Sequence, residues 1–285
     1  MSDASLPIVR TVADLRARVA AWRAGGQRVG FVPTMGALHE GHLSLVRLAK
    51  QNAGRVVASI FVNPTQFGPG EDFDTYPRDE ARDAALLASA GCDLLYAPTV
   101  AQMYPPGAST TVTVAGVSEP LDGAARPGHF AGVATVVTKL LSQCGPDVAV
   151  FGEKDYQQLQ VIRRLVRDLD LPVAVLGGPT ARDEDGLALS SRNAYLTARE
   201  RPVAGELNRA LAVAAEALRA GQAVAAVETD AKQSLRAAGF QRIDYLEVRA
   251  AEGLARLGPG PVTSPARILA AAILGKTRLI DNLAI

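Results

Sequence analysis

The stretch that most restricts the fold runs from Arg28 to Asn63. An apolar segment, RVGFVPT (28–34), gives way to HLSLVRLAKQNA (42–53), in which Leu43, Val46 and Leu48 follow helical spacing. A second apolar segment, RVVASIFVN (55–63), follows. The connection is long enough for a crossover, which parallel strands require and antiparallel neighbours do not, so the stretch predicts a β-loop-α-β unit. The pattern repeats: a helix is expected near 79–90, a strand at 92–98, a helix near 131–143, a strand at 147–152, a helix over 155–169 and a strand at 172–178. Such alternation implies a doubly wound α/β sheet, whose ligands sit at the carboxyl ends of the strands.

Past GGPTARDEDG (177–186) the texture changes to two Ala-rich helical stretches, near 198–220 and 223–238, followed by strands expected at 243–249, 266–274 and 277–281. The expected organisation is therefore a Rossmann-like parallel-sheet domain over 1–180 and a smaller α+β domain over 181–285, with GPGPVTSPAR as a surface loop in the second. A chain of 285 residues is long enough for two such cores. No apolar run approaches the roughly 18 residues of a membrane span, and MSDASLPIVR lacks the features of a signal peptide, so a cytoplasmic location without membrane association is expected. Cys92 and Cys144 lie outside any CxxC arrangement and read as buried thiols. A net charge of +1 with mixed signs supplies no global pull toward nucleic acid.

Four polar clusters fall at ends of the expected strands. In PTMGALHEGH (33–42), Gly36 and Gly41 permit close backbone approach, and a helix starting near His42 would present free N–H groups to an anion. A zinc reading of His39 and His42 is disfavoured, because HEGH leaves two residues between the histidines where the metalloprotease pattern HExxH needs three. In NPTQFGPGEDFDTYPRDEARD (63–83), Asn63, Gln66 and Tyr76 among turn formers suit a lid or substrate wall, with most of its acidic residues solvated and Asp83 or a neighbour able to approach Mg²⁺. In FGEKDYQQLQVIRR (151–164), Lys154 can neutralise phosphate, Asp155 can cap the following helix or hold a ribose hydroxyl, and Gln158 can reach the same cleft one turn on. In DGLALSSRN (185–193), Ser190, Ser191 and Arg192 suit phosphate oxygens at a closing segment. Each cluster alone also has a bland reading: a capped loop, a surface loop, a structural strand-to-helix turn or a solvated polar turn.

Together, PTMGALHEGH, SIFVNPTQF, RPGHFAGVATVV, FGEKDYQQL and LSSRN, with TRLIDN near the C-terminus, closely resemble the pantothenate synthetase (pantoate–β-alanine ligase) family of the HxGH nucleotidyltransferase superfamily. The resemblance implies a homodimer that uses ATP, with Mg²⁺, to condense pantoate with β-alanine through pantoyl adenylate, releasing pyrophosphate and AMP. It implies that Met35, Gly36, Ala37, Leu38, His39, Glu40, Gly41 and His42 form one wall of the ATP site. Gly152, Glu153, Lys154 and Asp155 would form a second wall, and Ala181, Leu189, Ser190, Ser191 and Arg192 would complete it. Gln66 and Gln158 would hold pantoate, with Asn63, Arg126 and His129 as further candidates for that pocket. His42 is the first choice for contacting the transition-state phosphate oxygens. Two competing readings remain. One is a transferase of the same superfamily that retains the nucleotide in its product; the other is a non-catalytic RNA-binding relative of aminoacyl-tRNA synthetases, which the balanced charge disfavours.

Overall fold

The computed structural model describes residues 6–285. The chain runs β1 (Ile8–Val9), α1 (Val12–Ala24), β2 (Val29–Thr34), α2 (Glu40–Asn52), β3 (Arg55–Ile60), α3 (Glu80–Ser89), β4 (Leu94–Tyr96), α4 (Val100–Met103), α5 (Asp122–Ala125), α6 (His129–Cys144), β5 (Val148–Gly152), α7 (Tyr156–Asp168) and β6 (Ala174–Gly178). There follow α8 (Arg201–Ala204), α9 (Glu206–Arg219), α10 (Val224–Ala238), β7 (Arg242–Ala250), β8 (Ala266–Leu274) and β9 (Thr277–Ala284). The first six strands form one parallel sheet in the order β1-β4-β3-β2-β5-β6. Chain order reverses between β2 and β5, so the loops leaving these two neighbours diverge to opposite sides and open a crevice at their carboxyl ends.

The period of two along each strand divides the core. Val29, Phe31, Val57, Leu94, Tyr96, Ala149 and Phe151 face one layer with residues of α1, α6 and α7, whereas Val32, Val56, Ala58, Leu95, Val148 and Val150 face the other with Leu43, Val46 and Ala49 of α2 and Leu87 of α3. Both faces are covered, which is why these strands read as continuous apolar runs. In the second sheet, antiparallel in the order β7-β8-β9, the same alternation sends Leu246, Val248, Ile268, Ala270 and Ala272 toward α9 and α10. Tyr245, Leu269 and Ala271 point the other way and join the core that holds α6. Helix α6 is therefore buried nearly all round, with 11 of its 16 residues inside.

The strands and long helices expected from the sequence are present to within a few residues at their ends, except that the stretch expected near 198–220 is broken at Gly205 into α8 and α9, and both cysteines are free and buried. Helix α1 is an addition to the expected pattern. It buries only Leu15 and Val19, too few apolar positions to register as periodicity, although Thr11 capping the Asp14 N–H at 3.1 Å is a sequence-visible start signal. No helix among the described residues is long and apolar enough to cross a membrane.

Candidate active site

A cleft of about 490 Å³ opens at the β2/β5 crevice and extends beneath the second sheet. Its first wall is the turn from β2 into α2. Helix α2 starts at Glu40, not near His42: His39 is its N-cap and His42 its third residue. The His39 Nδ1 accepts the Gly41 N–H at 3.2 Å, and the His42 Nδ1 accepts the His39 N–H at 3.4 Å. A ring nitrogen that accepts carries no proton, so both rings hold theirs on Nε2, the atom left free for a ligand. Burial, first, and the nearby Lys154 charge lower the pKa of His39 to about 4; burial, His39 and Lys154 lower that of His42 to about 3. Both imidazoles are neutral donors at pH 7. Their centroids lie 4.1 Å apart, a distance two neutral rings tolerate. Gly41 is required here, since a Cβ would meet the His39 ring at 2.9 Å.

The preceding turn is held from behind. The Asp83 carboxylate accepts the Ala37 and Leu38 N–H groups, each at 2.8 Å, and its side chain is 1% exposed. This corrects the expected Mg²⁺ role: both oxygens are engaged behind the loop, and Asp83 does not line the cleft. Among the described residues no cluster of three or more His, Cys, Asp or Glu side chains is arranged to hold a metal. Gly36, Ala37, Leu38 and Glu40 also leave the cleft lining, with Leu38 in the core and Glu40 paired to Arg47. Met35, His39, Gly41 and His42 remain on it.

Opposite stands the 3-10 turn Glu153–Asp155 at the end of β5, where Gly152, Lys154 and Asp155 line the cleft. Glu153 turns away to Arg267, 3.1 Å distant. Asp155 makes no side-chain cap to α7, contrary to one sequence expectation; its half-exposed carboxylate lies 3.8 Å from the Lys154 Nζ. The third wall comes from the segment after β6. The Leu189 N–H donates to the Ala181 carbonyl at 2.9 Å, bringing these two residues together. Ser190 caps the turn Ser191–Tyr195, and the Ser191 Oγ donates to the Ala37 carbonyl at 3.0 Å, joining the fourth cluster to the first.

Arg192 is engaged by a residue the sequence reading left in solvent. Its Nε and Nη2 donate to the two Asp72 carboxylate oxygens at 2.9 and 2.8 Å. The neighbouring Glu71 grips Arg126 in the same bidentate way, at 2.7 Å for both bonds. These acidic residues of the 63–83 cluster are therefore paired, not solvated. Arg126 also meets the His129 Nε2 at 3.0 Å; because a guanidinium only donates, His129 keeps its proton on Nδ1 and gives it to the Gln66 carbonyl at 2.9 Å. Burial and the Arg126 charge lower the His129 pKa to about 4.

The same cleft also has an apolar side. Val136, Val137, Leu140 and Phe151 line an apolar wall, and Gln66 and Gln158 line the same cleft. Among the described residues the Gln158 amide makes no internal hydrogen bond, whereas the adjacent Gln157 spends its own on Asp122, Val117 and Pro120. Asn63 is 1% exposed and saturated: its Nδ2 donates to Gln66 Oε1 and the Gly132 carbonyl, and its Oδ1 accepts from Tyr104 and Thr65. It orients Gln66 and has no group left for a ligand.

The family model described as pantoate-beta-alanine ligase matches residues 7–284. Over 279 residues the chain is 64% identical to the pantothenate synthetase of Caulobacter vibrioides, covering 98% of each chain. It is 63% identical to that of Paramagnetospirillum magneticum, covering 98% of this chain and 97% of the relative. The crystal structure of pantothenate synthetase from Thermus thermophilus superposes with a TM-score of 0.92 at 51% identity, covering 98% of this chain and 99% of that one. A pantoate-beta-alanine ligase from Francisella tularensis, complexed with beta-gamma ATP and beta-alanine, gives 0.81 at 35% identity, covering 98% and 97%.

Proposed function

The chain belongs to the pantoate–β-alanine ligase family and joins pantoate to β-alanine; from that premise we propose that it does so through pantoyl adenylate, with ATP as the activating co-substrate. The observation that carries this reading is a single cleft with two kinds of lining. One is a cradle of two neutral Nε2–H imidazoles with Lys154, Ser190 and Arg192; the other pairs an apolar wall with two amides. Pantoate has a carboxylate, two hydroxyls and a gem-dimethyl carbon. The methyls suit Val136, Val137 and Leu140, the hydroxyls suit Gln66 and Gln158, and the carboxylate then points at the cradle.

A carboxylate resists amine attack, since hydroxide would have to leave. Pantoate's carboxylate oxygen instead forms a bond to the α-phosphorus of ATP, and the bond to pyrophosphate breaks. The β-alanine amine, in its neutral form, then attacks the acyl carbon, loses a proton, and AMP leaves. No covalent bond to the protein is needed, so the protein's part is alignment and charge stabilisation. His42, at the first turn of α2, donates Nε2–H toward the phosphate oxygens that gain charge; Lys154 and Arg192 supply cationic charge, and His39 meets the nucleotide beside them. Mg²⁺ suits a cradle whose adjoining carboxylate, Asp155, is half-exposed, because that ion keeps most ligands as phosphate and water; when bound it offsets triphosphate charge. On this reading residues 1–180 hold nucleotide and pantoate, residues 181–285 bring Ser190 and Arg192 over the phosphates, and the enzyme works as a cytoplasmic homodimer.

The test is incubation with Mg-ATP and pantoate, with and without β-alanine. Pyrophosphate release should require pantoate, and AMP release should require β-alanine. A nucleotide retained in the product would identify a transferase instead. Loss of one transition-state hydrogen bond costs about 10²- to 10³-fold, so His42→Ala and Lys154→Ala should each slow pyrophosphate release by that factor while remaining folded. Near-normal release by folded His42→Ala removes that histidine from the role.

A further inference from the structure

The turn that presents Lys154 receives no side-chain cap from its own neighbourhood. The Glu153–Asp155 turn has no side-chain cap from Gly152, and α7 has none from Asp155. Its carbonyls are instead bound from the last strand: the Asn282 Nδ2 donates to the Glu153 carbonyl at 3.0 Å and to the Lys154 carbonyl at 2.9 Å. Asn282 is 3% exposed, so these bonds form away from competing water. The direction of the amide is fixed in turn. Arg267 of β8 donates to the Asn282 Oδ1, reaches the Glu153 carboxylate at 3.1 Å, and lies 3.9 Å above the Tyr156 ring, so a flip of the Asn282 amide would break its bonds to Arg267 and to both carbonyls. The adjoining Asp281 is saturated by Arg182 at 2.7 and 2.9 Å, Asn208 at 3.2 Å and the Asn282 N–H at 2.7 Å, which anchors β9 itself.

We propose that Asn282 is a positioning residue for adenylation: from the second sheet it fixes the backbone of Lys154 and thereby the aim of the ammonium at the triphosphate. The inference rests on the phosphate-binding role assigned above to Lys154. It also couples the two sheets. Any closing motion of the C-terminal part must carry the Lys154 turn with β9 or break both bonds.

The test is a double-mutant cycle read as single-turnover pyrophosphate release. Asn282→Asp keeps the shape and the acceptor for Arg267 but removes both donors; misplacement of a catalytic group by about 1 Å can cost about 10²-fold. Asn282→Asp should slow release by about 10- to 10²-fold and raise the KM for ATP, with pantoate affinity within about twofold of the parent. In the Lys154→Ala background the same substitution should cost less than about threefold, because its target is gone. Asn282→Ala, which adds no buried charge, carries the same expectation and is read if the Asp variant fails to fold. An equal factor in both backgrounds makes the role merely structural and overturns the proposal, as does a parental rate in folded Asn282→Asp. If Lys154→Ala alone releases pyrophosphate at the parental rate, the reading of the site falls and the proposal with it.

Discussion

All three histidines of the chain are held neutral, and that should make the protein unusually sensitive to mild acid. An unfolded histidine titrates near 6.5, whereas those of the folded protein titrate at about 4, 3 and 4 for His39, His42 and His129. Below pH 6.5 the unfolded chain therefore binds more protons than the folded one, and stability must fall as pH falls, down to the folded values. At pH 5 the difference is about 1.5 pH units per histidine, or about 2 kcal/mol at 1.36 kcal/mol per unit. The rings keep part of their surface in the cleft, so screening reduces this to about 1–2 kcal/mol each and on the order of 4 kcal/mol for the three. Carboxylates with lowered pKa values, such as Glu71, Asp72 and Asp93, start from 4.5 or 3.8 when unfolded and lose their contribution at lower pH, leaving the interval from 7 to 5 to the histidines. Urea unfolding at pH 7.5 and 5.0 measures the loss, and His129→Gln should remove about a third of it. Equal stability at both pH values, or an unchanged loss in His129→Gln, would refute the assignment of neutral, Nδ1- or Nε2-accepting rings.

Asp83→Ala should cost about 2–4 kcal/mol, since it strands two N–H groups behind the cradle, and should raise the KM for ATP without moving the Mg²⁺ concentration for half-maximal rate; a shifted Mg²⁺ dependence would restore its metal role. Asp72→Asn releases Arg192 from a bidentate carboxylate, so calorimetric titration should show ATP binding at least about threefold tighter. Weaker binding would mean that Asp72 aims the guanidinium and does not compete for it.

The parallel sheet was legible because strands covered on both faces leave unbroken apolar runs, as in Val29–Thr34 and Arg55–Ile60. The motifs lay at strand ends, so their convergence followed from topology. What each side chain does there was less legible. Asp83 and Asn63 read as candidate ligand groups because polarity is visible in sequence but saturation is not; each proved to be fully engaged, Asp83 with backbone and Asn63 with backbone, the Gln66 amide and two hydroxyls. Glu71 and Asp72 looked solvated because their partners, Arg126 and Arg192, stand 55 and 120 residues away. Asn282, inside a motif already noticed, gave no sign of its reach to Glu153 and Lys154 across 129 and 128 residues. Spacing reveals a helix or strand face; it does not reveal a bond made by tertiary packing.

The mutual capping of His39 and His42 ties the durability of the active site to that of a helix. On the proposed reading, the groups that meet the nucleotide are the same groups that close the first turn of α2, so the cradle has no separate open state of its own. Solvent exchange of the Gly41 and His39 amide hydrogens should require fraying of α2 from its N-terminus, and a bound nucleotide should slow that exchange by holding the Nε2 ends of the same rings.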